Sequence, residues 1–123
     1  MPSFGPSSRR HRDTCHPDLV RVLDEAIKYY DFSCVWGHRG EARQNRAYRD
    51  GHSKVQWPNS RHNSVPSQAF DVIPYPLGFK ASDEEFHKLA TYILAAASRL
   101  NVKLEWGGHW KSFKDLAHYQ LKR

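Results

Sequence analysis

Ser82 and Glu85 stand three residues apart just ahead of Phe86, Leu89, Ala90, Ile93, Leu94, Ala97 and Leu100. That is an S-x-x-E capping box followed by apolar positions at helical spacing. A helix so patterned has one apolar side and must bury it against a second layer. Other segments supply strands for that layer. Phe32, Cys34 and Trp36 alternate with Ser33 and Val35, and Val102, Leu104 and Trp106 alternate in turn. Ala117 to Leu121 repeats the pattern with His118 and Gln120 on one face, and Ala69 to Ile73 is apolar apart from Asp71 until Pro74 and Pro76 stop it. A further helix starts with Pro17 in its first turn and aligns Leu19, Leu23, Ala26, Ile27 and Tyr30, while a short polar one over Glu41 to Tyr48 closes at Asp50-Gly51. The expected fold class is α+β: a small single domain with a central antiparallel sheet flanked by helices.

The 123 residues fit one domain over 1–123, with Met1 to Arg12, rich in Ser, Pro and Arg, as a loose N-terminal arm. The longest strongly apolar run, Tyr92 to Ala97, falls far short of the roughly 20 residues of a membrane-spanning helix. Residues 1–12 also lack the apolar stretch of a secretory signal. Nineteen Lys and Arg against thirteen Asp and Glu give a net charge of +6, which favours contact with a polyanion such as nucleic acid, anionic lipid or an acidic envelope. Cys15 and Cys34 are too few for a disulfide framework and read as ordinary thiols. Gly51 to Gln68, punctuated by Pro58, Asn59, Ser60, Asn63, Ser64, Pro66 and Ser67, is loop of a length that suits a functional segment.

Three polar residues occupy positions that would accept an apolar one at less cost: Asp71 within its strand, His118 in the last strand and His62 in the long loop. Two imidazoles and a carboxylate form a three-ligand set that leaves tetrahedral zinc one position open, and the cation would neutralise a buried Asp71. Taken singly, the same residues also fit a turn-capping Asp71 and a half-exposed strand histidine. Asp115 lies three residues before His118, close enough for a bend to bring it in as a base; the alternative is a turn-former bonding its own backbone. Arg39 follows a strand end in Gly37-His38-Arg39-Gly40, where it would meet a developing oxyanion or else lie in solvent. Trp106, His109 and Trp110 would wall a cleft or join the core. Gly107-Gly108 lacks the Lys and the strand-turn-helix setting of a phosphate loop, and His11, Cys15 and His16 lack a fourth ligand at zinc-motif spacing.

Ser60-Arg61-His62, Ala69-Phe70-Asp71-Val72 and Asp115-x-x-His118, in that order, resemble the S-x-H, A-x-D and D/E-x-x-H signatures of the LAS-type zinc peptidases, the family that includes the D-Ala-D-Ala carboxypeptidases. The likeness is nearest to phage endolysins of the L-alanyl-D-glutamate peptidase type. It extends to His16 to Leu19, Gly37 to Arg39 with Gln44, and Trp106 to Gly108, and so covers residues 14–121. Two positions depart from the pattern: His62 and Asp71 are nine apart where many relatives have a shorter interval, and His109 stands where relatives often carry Asp. The resemblance implies a hedgehog/DD-peptidase-like fold and one zinc ion per chain held by His62, Asp71 and His118. It further implies Asp115 as general base, Arg39 polarising the scissile carbonyl, and Ser60 and Gln44 as supporting positions that either bind substrate or stand behind the residues that do; Trp106 and His109 are expected to touch substrate as well.

The activity so implied is that of a zinc-dependent peptidoglycan endopeptidase, an endolysin cleaving the stem peptide at the L-Ala-D-Glu bond. A D-Ala-D-Ala carboxypeptidase using the same machinery is the alternative within enzymes. From another class, a basic metal-dependent nuclease or nucleic-acid-binding protein is the rival, against which stands the lack of any nucleic-acid fold motif. The expected partners are bacterial peptidoglycan and the anionic cell envelope, with no specific nucleic acid and a monomeric chain. Such a protein would be made in the host bacterial cytoplasm without a signal peptide and reach the wall through a separate pore former.

Overall fold

The computed structural model describes residues 2–122. Along the chain the elements run α1 (Pro6–Arg12), α2 (Pro17–Ala26), β1 (Phe32–Trp36), α3 (Glu41–Arg49), β2 (Ala69–Pro74), α4 (Asp83–Arg99), β3 (Leu104–Trp106) and β4 (His118–Leu121). Turns of 3-10 helix occupy Arg61–Asn63, Gly78–Lys80 and Gly107–His109. The strands form one antiparallel sheet in the order β1-β2-β4-β3, in keeping with the α+β class read from the sequence. No helix is long and apolar enough to cross a membrane among the described residues.

The Ser82 hydroxyl accepts from the Glu85 amide at 3.3 Å and starts α4, while the Glu85 carboxylate accepts from the Tyr30 hydroxyl at 3.0 Å. The apolar sides of α2 and α4 meet each other and one face of the sheet. Leu19, Val22 and Leu23 from α2, Leu89, Ile93 and Ala96 from α4, and Phe70, Val72 and Tyr119 from β2 and β4 are all fully buried there. Each Leu or Ile so enclosed contributes about 1.5–3 kcal/mol.

The core fixes the opposite face too. Because side chains alternate along a strand, inward Phe70 and Val72 send Asp71 to the other side, and inward Tyr119 does the same for His118 and Gln120. Asp71 pairs directly with His118 in the β2–β4 register, so an acid and an imidazole share one face. In the β1–β2 pair, Cys34 faces Val72 and Trp36 faces Asp71, which leaves Val35 as an extra residue. Such a bulge bends the strand and re-aims the chain beyond it, here Gly37 to Arg39.

The N-terminus corrects the expected loose arm. Residues 6–12 form helix α1, which packs along β1 at the sheet edge. Ser8 accepts the Cys34 amide at 3.0 Å, and buried Phe4 sets its ring edge-on to Phe32 at 5.3 Å. An exposed strand edge leaves backbone donors unpaired; α1 supplies one acceptor and an apolar cover, which is why a segment of polar composition is ordered.

Candidate active site

The long loop is shaped by its own polar side chains. The Ser60 hydroxyl accepts from the His62 amide at 3.2 Å, and Asn63 Oδ1 accepts from the Ser60 amide at 2.9 Å, a reciprocal cap on the 3-10 turn. The Arg39 amide donates to the His62 carbonyl at 2.7 Å and Asn63 Nδ2 donates to the Arg39 carbonyl at 2.9 Å. The turn is thereby tied to the chain leaving β1, and His62 is swung under the outward face of the sheet.

There His62 Nε2 lies 3.2 Å from Asp71 Oδ1 and 3.3 Å from His118 Nδ1, and His118 Nδ1 lies 3.1 Å from the same Asp71 oxygen. The other ring nitrogens decide the tautomers. His62 Nδ1 donates to the Gly37 carbonyl at 2.8 Å, and His118 Nε2 donates to Gln120 Oε1 at 2.8 Å. Each neutral ring therefore turns a bare lone pair toward a carboxylate oxygen, an arrangement that repels unless a proton or a cation lies between the atoms. Acceptors behind metal-bound imidazoles fix ring orientation in this way. His62, Asp71 and His118 are the one group of potential ligand side chains among the described residues whose donor atoms all lie within 4.8 Å of one another. The donor set fits a divalent ion that accepts nitrogen and carboxylate ligands.

Charge follows the geometry. Burial disfavours ionised Asp71, yet His62 and His118, whose protonated forms attract it and donate to it, hold its carboxyl well below the usual range. Burial likewise disfavours protonated His118, but the Asp71 carboxylate wins and raises its pKa.

Asp115 lines the same cleft of about 250 Å³, together with Arg39, Ser60 and the three candidate ligands. Its Oδ1 accepts from the Ala117 amide at 3.3 Å and its carbonyl from the His118 amide at 3.2 Å. A Cβ on Gly107 would strike the Asp115 carbonyl, so the bare glycine lets this acid approach. Burial, reinforced by the charge of Asp71, pushes the Asp115 carboxyl above its ordinary pKa. Arg39 is buried, with Nη2 3.5 Å from Asp71, Nη1 donating to Gln44 Oε1 at 3.1 Å, and its guanidinium 4.8 Å over the Trp36 ring. Burial lowers its pKa, with Asp71 and Asp115 opposing, and a guanidinium still stays charged.

The structure thus brings together His62, Asp71, His118, Asp115, Arg39 and Ser60. It does not bring Gln44, Trp106 or His109 to the cleft. Gln44 is fully buried, accepting from Arg39 and donating to Ser53 Oγ at 2.9 Å and the Val55 carbonyl at 2.7 Å, so of its two expected places it takes the one behind Arg39 and not the one against substrate. Trp106 is core: in phase with buried Leu104, it stacks on Tyr119 and donates to the Leu116 carbonyl at 2.9 Å. His109 is exposed and sits edge-on to Trp106 at 4.8 Å, outside the cleft lining. The aromatic wall is formed by Trp110, 5.3 Å from the His118 ring, and by Phe113. Gln120 and Lys54 also line the cleft. Gln120 was accessible from its alternation with His118; Lys54 and Phe113 carry no such signal.

An α+β sheet that presents a two-histidine, one-carboxylate group beside a buried acid and a fixed guanidinium fits a broad class, the metal-assisted hydrolases. Comparison with known proteins narrows it. The chain belongs to the phage L-alanyl-D-glutamate peptidase family, whose model matches residues 2–121. It is therefore an enzyme of a peptidoglycan-hydrolysing, phage-lysis family. The crystal structure of the L-Ala D-Glu endopeptidase ChiX of Serratia marcescens is similar to it at 34% identity and a TM-score of 0.83, covering 98% of this chain and 91% of that one. No curated protein matches the sequence significantly.

Proposed function

We propose that the chain is a zinc endopeptidase that cleaves the L-Ala-D-Glu bond of the peptidoglycan stem peptide, with one ion per chain held by His62 Nε2, Asp71 Oδ1 and His118 Nδ1. The observation that carries this reading is the convergence of those three atoms, two of them bared by acceptors on Gly37 and Gln120. When bound, zinc supplies Lewis acidity to the scissile carbonyl and acidifies water. Asp115 takes the proton of the attacking water and returns it to the leaving nitrogen; its raised pKa brings proton affinity closer to working pH, as such a shuttle needs. Arg39 stabilises charge growing on the carbonyl oxygen, with only two of its five donors engaged among the described residues. Ser60 holds His62 through its cap and offers its edge to substrate.

As a monomeric endolysin made in the host cytoplasm, the protein would reach the wall once a separate pore former opens the membrane, and its net charge of +6 would hold it to an anionic envelope. The test joins metal analysis of the purified chain to mass spectrometry of digested muropeptides. Bound zinc near one equivalent and fragments with new N-terminal D-Glu are expected. Released D-Ala would assign a carboxypeptidase instead, and full digestion by metal-free protein would defeat the zinc centre.

A further inference from the structure

Beyond the candidate catalytic groups, the cleft continues into a second cavity, and the two share Lys54, Trp110 and Phe113. Lys54 Nζ lies 5.0 Å from the centre of the Phe113 ring, so segments far apart in sequence meet across the cleft mouth. Phe113 adopts φ 45°, a left-handed conformation rare for a bulky residue and one that collects at ligand-holding positions. Among the described residues Lys54 makes no ion pair with a carboxylate. The other cleft arginines are held by hydrogen bonds: Arg39 bonds Gln44 and Asp71, and Arg61 Nη1 donates to the Leu121 carbonyl at 2.6 Å.

The wall is therefore two aromatic faces ending in a cation. Its complement is a short aliphatic side chain that ends in a carboxylate. Glutamate has that shape, and when a peptide continues through one of its two carboxyl groups the other stays free. We infer that Trp110, Phe113 and Lys54 form the subsite for the D-glutamyl residue, with its methylenes on the aromatic faces and its free carboxylate on the Lys54 ammonium. The inference rests on the L-Ala-D-Glu reading above, and it makes Lys54 a specificity-determining residue that discriminates a free acid from its amide.

The test uses the zinc-loaded full chain on two soluble stem peptides, one with D-glutamate bearing its free carboxylate and one with that group converted to carboxamide. The wild type is expected to prefer the acid. Lys54→Met should lower the ratio of kcat/KM for acid over amide by about tenfold, mainly through KM on the acid peptide, and Lys54→Arg should restore most of it. An unmoved ratio in Lys54→Met, or equal loss on both peptides, overturns the subsite while leaving the peptidase reading intact. A wild type that cleaves neither peptide overturns both.

Discussion

A buried polar side chain keeps its place only when something answers its polarity, and at Asp71 the answer comes from two imidazoles whose protons have been drawn to their far sides. His118→Ala should therefore lose bound zinc and wall hydrolysis together. Asp115→Ala should retain near-full zinc and fall in kcat by about 10²–10⁴, the range of a lost general base; metal analysis beside a turbidity assay separates the two. On the proposed ligand set, proton and metal would compete for His118 Nδ1. Since Asp71 raises the His118 pKa in the metal-free state, the ring is protonated below that value and must shed its proton to bind. Zinc affinity should thus strengthen as pH rises through it and level off above, a slope that calorimetry in several buffers would record. Of these groups, Asp71 and His118 are legible in the sequence as polar residues breaking strand patterns. Asp115 and Arg39 stay open between a role in the site and a turn or solvent position until the resemblance to known motifs is added, because their approach depends on Gly107 and on a bulge that spacing does not encode.

The strands and main helices emerge from periodicity, since a core of alternating side chains has few ways to close. Where elements end, side-chain phase is harder to assign. Trp106 reads in the sequence as either cleft wall or core until its shared face with Leu104 is seen, and Met1 to Arg12 reads as an arm because its polar sequence hides that Ser8 and Phe4 serve the edge of β1. Gly37 links that helix to the site. A Cβ there would meet the His11 carbonyl and Thr14 Oγ1, while the Gly37 carbonyl itself accepts from His62. Gly37→Ala must push the α1–α2 junction and β1 apart. The expected loss is about 1–3 kcal/mol of stability together with weaker zinc binding, readable as a lower Tm and a raised zinc Kd. A surface glycine with open space around it, such as Gly40, provides the control.

Across the whole molecule, the same helix-backed sheet that buries Phe70, Val72 and Tyr119 holds two of the three candidate ligands, Asp71 and His118, while the capped turn tied to the chain after β1 holds His62. The candidate centre is therefore built by the fold before any ion arrives, unlike small zinc domains that collapse without metal. Chelation with EDTA should abolish digestion yet leave the far-UV circular dichroism intact, and one equivalent of zinc should restore activity without refolding. Loss of secondary structure on chelation would contradict this. The α1 contact with β1 has a practical consequence as well. Pulling the amino end by a tag, a surface tether or a fused cargo strains a seam one carbonyl away from His62, so attachments there should report on metal retention before they report on unfolding.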